Sequence, residues 1–155
     1  YRNMAWCIGT SNCWRGLRWQ KEDLWSRHKR VPNNEDMVKI TLSWCLKHKD
    51  DLDVCDVIVL ERQMRTPFII MNAVITTLYY EKVQVVHPQT VGAFFNLPRT
   101  RVQKKAAGIM VVKKNGLTFG VERNDKYDDL ADAWLMMVWG LVANKALNKN
   151  EIVLF

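Results

Sequence analysis

Three carboxylates stand where acid chemistry on a phosphate would need them. Glu61 follows directly on the branched apolar run 57–60, and open α/β sheets gather ligands at the carboxyl ends of such strands. Asp129 and Asp132 lie three residues apart at the start of a long segment rich in Ala, Leu, Met and Trp. Three helical residues turn through about 300° and rise about 4.5 Å, so the two carboxylates share a face. Two like charges so close repel unless a cation sits between them. Hard oxygen ligands on rigid elements suit Mg2+ or Mn2+, and paired ions about 3.5–4 Å apart suit phosphodiester hydrolysis. The plainer reading is that Asp at a helix start simply suits the dipole and that Glu61 pairs with Arg62 or Arg65 at the surface.

The elements that must carry these acids alternate. Asn34 is expected to cap a helix, with Glu35 and Asp36 at its positive end and Val38, Leu42, Cys45 and Leu46 as its apolar stripe. Lys47, His48 and Lys49 suit its last turn. Residues 57–60 read as a strand of a buried, partly parallel sheet. Thr66-Pro67 opens a helix running to Tyr80, with Ile70, Ala73, Val74 and Thr77 on one side. Residues 82–86 form another strand, ended by His87-Pro88, and 89–97 a short helix. Arg99, Arg101, Lys104 and Lys105 then open a helix to about Val112, and 128–147 is the last one. The first 27 residues are less legible. Residues 3–8 alternate weakly, like the tail of a strand, and Gly9-Thr10-Ser11-Asn12 resembles a turn. Trp14, Trp19 and Trp25 follow among basic residues. The pattern is that of an α/β domain with helices covering a sheet.

Composition limits the alternatives. A chain of 155 residues suits one domain, and 48% apolar with 25% charged residues excludes a disordered polymer. A net charge of +7 and a pI near 9.4 point to an anionic partner, with nucleic acid first. Apolar runs such as 68–71 and 133–138 are too short to span a bilayer. The first 14 residues lack the organisation of a signal peptide. Cys7, Cys13, Cys45 and Cys55 form no C-x-x-C pair, so four reduced thiols in a reducing intracellular compartment are expected. The seven Trp are read mainly as packing.

A resemblance sharpens this reading. Val59-Leu60-Glu61-Arg62-Gln63-Met64-Arg65 resembles the I/L-E-R-Q-x-R segment of RuvC-like Holliday junction resolvases, closest to their poxvirus and mitochondrial branch. Asp128-Asp129-Leu130-Ala131-Asp132-Ala133 is similar to the D-D-x-A-D-A helix that closes those proteins. Tyr1-Arg2-Asn3-Met4-Ala5-Trp6-Cys7 is similar to the segment after their first-strand D-x-G, and Lys104-Lys105 to a basic pair ahead of the last helix. The resemblance implies a ribonuclease H-like mixed sheet flanked by helices over 1–155. It also implies a homodimer and Mg2+-dependent nicking of four-way DNA junctions at symmetric positions, Mn2+ substituting. Glu61, Asp129 and Asp132 would then be metal ligands, and Lys105, or else Lys104, would approach the scissile phosphate. The basic set Arg62, Arg65, Arg99, Arg101, Lys104 and Lys105 would neutralise DNA phosphates.

The family's first-strand Asp is expected a few residues before Tyr1, leaving three of four carboxylates here and the first strand truncated. Between Cys7 and Glu22 there is little room for two further strands, so residues missing between about Ile8 and Trp14 are expected and the apparent turn there loses its meaning. Symmetric cutting calls for two sites about a two-fold axis. The face of the last helix (Trp134, Met137, Val138, Leu141) or of helix 66–80 (Phe68, Ile69, Val74, Leu78) would supply the interface. A viral replication site or an organelle nucleoid fits such an enzyme. The competing readings are a ribonuclease H-like nuclease with another target and a catalytically inactive DNA-binding protein.

Overall fold

The computed structural model describes residues 3–24, 32–117 and 127–154. Trp25 and the first two residues of the amino-terminal motif lie outside them. The chain divides into two compact units, one holding Asp23–His87 and the other Met4–Glu22 with Pro88–Phe155. Both mix helices with a small sheet, so the protein is α/β. The strands form two two-stranded sheets where one mixed sheet was expected.

In the first unit, α1 (Asn34–Lys47) is capped by Asn33, one residue ahead of the expected Asn34. The Asn33 side chain accepts from Asp36 N at 2.8 Å, and Asp36 accepts in return from Asn33 N, closing a capping box. The buried stripe is also displaced by one, to Met37, Thr41, Trp44 and Cys45. Val38, Leu42 and Leu46 are exposed instead. A buried Thr hid this stripe from a reading based on apolarity; its hydroxyl donates to Met37 O at 2.7 Å and is satisfied. A second helix, α2 (Lys49–Val54), follows where the sequence marks only the last turn of α1. Strand β3 (Ile58–Glu61) runs parallel to β4 (Val83–Val86), with Glu61 opposite Val86. The parallel pairing needs a crossover, supplied by α3 (Thr66–Leu78) with Pro67 in its first turn. Met71 and Ile75 are the buried residues of α3. Ile70 and Val74 are only half-buried, and Ala73 and Thr77 are exposed.

In the second unit, β1 (Asn3–Thr10) and β2 (Cys13–Asp23) pair through a two-residue connection at Ser11-Asn12. A link so short permits only an antiparallel hairpin. The turn at Ser11-Asn12 is therefore genuine, and one further strand, β2, fills the stretch to Asp23 in place of the two that the resemblance implies. A Cβ on Gly9 would press on the thioether end of Met137, which would have to turn aside, so β1 lies close against the last helix. That helix, α6 (Tyr127–Ala143), packs on α5 (Arg101–Lys114), and both adjoin the short α4 (Pro88–Phe94). Helix α6 stops at Ala143, before the expected 147. Trp134, wholly buried, meets Trp14 and Phe95 with ring centroids 6.1 and 6.3 Å away. Trp134 and Val138 are therefore core residues and not an interface. On α3, by contrast, Ile69 and Leu78 are exposed. No helix among the described residues is long and apolar enough to cross a membrane.

Candidate active site

Helix α6 begins with acids. Asp128 and Asp129 occupy its first turn, where the positive end of the dipole favours anions. Leu130, Ala131, Ala133, Trp134 and Leu135 are buried, which fixes the rotation of the helix and leaves Asp132 exposed. Spacings of three and four residues then bring Asp128, Asp129 and Asp132 onto neighbouring positions of one face.

Two lysines from other elements reach this face. Lys105, on α5, donates to Asp128, and Lys21, on β2, donates to Asp129. The Lys21 side chain is only 9% exposed, against 43% for that of Asp129. Burial pushes the Asp128 carboxyl up, but the hydrogen bond and charge of Lys105 outweigh it and hold the acid below its ordinary value. Lys105 is shifted upward, first by its hydrogen bond to Asp128. Burial opposes that shift, and the charges of Asp128, Asp129 and Asp132 reinforce it. Lys105 is thus a permanent cation beside three acids. Lys104 turns elsewhere. Its Nζ donates to Pro88 O at 2.8 Å, and its stem lies where a Cβ on Gly92 would come within 3.2 Å. Arg99 and Arg101 are exposed at the entrance to α5, whose first turn holds no acid.

Glu61 closes β3 in the first unit and is half-buried. Gln63 Nε2 donates to its Oε2 at 3.0 Å, and Asn72 Nδ2 to its backbone carbonyl at 2.7 Å. Arg62 N donates to Val86 O at 2.7 Å, carrying the ladder one residue past the strand. The E-R-Q sequence thereby acquires a physical sense: its Gln orients its Glu, and its Arg is left exposed. Met64 and Arg65 are exposed as well. An open groove of about 410 Å3 beside Arg62 and Gln63 is walled by Ile69, Ala73 and Val85; its lining holds no acid.

The carboxylate oxygens one turn apart on α6 are the donor type that a hard divalent ion takes, and an ammonium, that of Lys21, already rests on Asp129. Among the described residues, no group of three His, Cys, Asp or Glu side chains closes around one point. All four cysteines are free. Burial pushes Cys7 up to about 12 and Cys45 to about 11, so neither serves as a thiolate nucleophile near neutral pH. Sequence reasoning did not find Lys21, Gln63 or Asn72 as partners of the acids. Gln63 sits inside the recognised motif. Lys21 and Asn72 are distant in sequence from the groups they hold, and no local pattern marks them.

A mixed α/β chain with acids at a strand end and at the start of its last helix has the arrangement on which the resolvase resemblance rests. Compared with known families, residues 16–144 match that of the poxvirus A22 protein. The chain belongs to this family, a family of Holliday junction resolvases in the poxvirus branch. No curated protein and no solved structure matches it.

Proposed function

We propose that this protein is a divalent-metal-dependent endonuclease that nicks four-way DNA junctions at symmetric positions, acting as a homodimer on a ribonuclease H-like scaffold. The observation that carries the reading is the acid end of α6, with Lys105 bound to Asp128 and Asp129 and Asp132 on the same face, in a chain of a resolvase family. Asp129 and Asp132 would hold Mg2+ or Mn2+, which would supply Lewis-acid activation of water and charge neutralisation at the phosphate.

The remaining chemistry belongs to side chains. Gln63 keeps the Glu61 carboxylate in one orientation. Lys105, kept charged by Asp128, stabilises negative charge developing on the scissile phosphate. Arg62, Arg65, Arg99 and Arg101 neutralise backbone phosphates, and Lys104 joins them only by leaving Pro88 O. Four free thiols suit a reducing compartment such as a viral replication site or an organelle nucleoid.

The test compares substrates. With Mg2+ or Mn2+, paired nicks across a four-way junction are expected, with little cutting of linear duplex or of an RNA–DNA hybrid. Preferential cutting of the hybrid would move the protein to another ribonuclease H-like activity. Junction binding without any cutting would make it a binding protein.

A further inference from the structure

Lys21 is absent from every motif singled out in the sequence, and its strand, β2, contributes no acid to the α6 cluster. Its stem is nonetheless withdrawn from water and its ammonium rests on Asp129. An ammonium this buried is retained only against an opposite charge, so the contact constrains both partners. It also fills one oxygen of Asp129. The three acids crowded at the start of α6 repel one another. Lys105 offsets this at Asp128, and Lys21 offsets it at Asp129. Asp132, the outermost of the three, is exposed.

We propose that Lys21 is a positioning residue for Asp129 and the built-in counter-ion of the acid cluster: it fixes the carboxylate and lowers the attraction of the α6 acids for divalent cations. The second half rests on the nuclease reading above; the first does not. Neutralising Lys21 removes a like charge beside the ion's ligand, and a neighbouring unit charge shifts such a site by about one log unit or more.

The experiment uses the full chain as parent, Lys21→Met, Asp129→Asn and the double variant. Methionine keeps most of the buried stem. Thermal unfolding without divalent ions should be coupled, the double variant losing no more stability than the worse single variant. Calorimetric titration with Mn2+ should show Lys21→Met binding about tenfold more tightly than the parent, while its junction nicking falls because Asp129 is no longer held. Additive losses on unfolding would overturn the positioning role. Equal Mn2+ affinities in parent and Lys21→Met would overturn the counter-ion role. A parent that binds no Mn2+ would remove the nuclease reading and the counter-ion role together, whereas a coupled cycle would still uphold the contact with Asp129.

Discussion

Glu61, Asp128 and Asp129 are each held by a specific neighbour, and the neighbours differ in kind. Glu61 takes a neutral amide, Gln63, while Asp128 and Asp129 take ammonium groups. A neutral donor orients a carboxylate without cancelling its charge, which suits a ligand meant to receive a cation. Replacing an outer partner of a metal ligand costs about 10–100-fold in affinity or activity. Gln63→Leu is therefore expected to slow junction nicking by about that factor while leaving junction binding unchanged, as gel shift and single-turnover kinetics would measure; unaltered nicking would mean Glu61 needs no such support. The acids themselves were legible because strand ends and helix starts leave marks in a sequence. Their partners were not: Lys21 and Asp129 are separated by 108 positions, and only the folded chain joins them.

At the scale of elements, polar core residues and short segments escape periodicity. Helix α1 and strand β3 were found, but the stripe of α1 was set one residue late because Thr41 sits in the core as a satisfied polar residue, and its cap because two adjacent Asn both suit that position. Apolarity alone cannot register that. Helix α2 has six residues, too few to show a period. The hairpin was discounted on length, although a turn needs only Ser11 and Asn12. The end of α5 carries a contact of another sort. Asn115 donates to Val111 O and Val153 O and accepts from Val153 N, clasping the carboxy-terminal segment to the helix. Asn115→Ala should cost about 1–2 kcal/mol in urea unfolding, the partly exposed Val153 backbone recovering some of the loss from water. A change near zero would mean that the segment is held by other contacts.

For the whole molecule, the +7 charge matters through where its cations stand. Arg99 and Arg101 are exposed, while Lys104 is committed to Pro88 O. Neutralising the two arginines should reduce the slope of log binding constant against log salt by about 0.9 for each phosphate they would otherwise neutralise, and Lys104→Gln should leave it unchanged. Equal effects from all three would detach phosphate binding from this geometry. The α/β class and the parallel pairing of β3 with β4 were legible from branched apolar runs alternating with helical stripes. The single mixed sheet that the resemblance implies is not what the described strands form: they pair as two separate two-stranded sheets, and strand order depends on contacts that periodicity does not encode.

The most direct measurement sets cutting against binding in one variant. Asp132 is exposed on the acid face of α6 and takes no part in the core, so Asp132→Asn should fold like the parent. On a labelled four-way junction with Mg2+, it should lose nicking while its binding constant stays within a few-fold of the parent's. Paired nicks made by Asp132→Asn at the parent's rate would contradict a nuclease centre built on the first turns of α6.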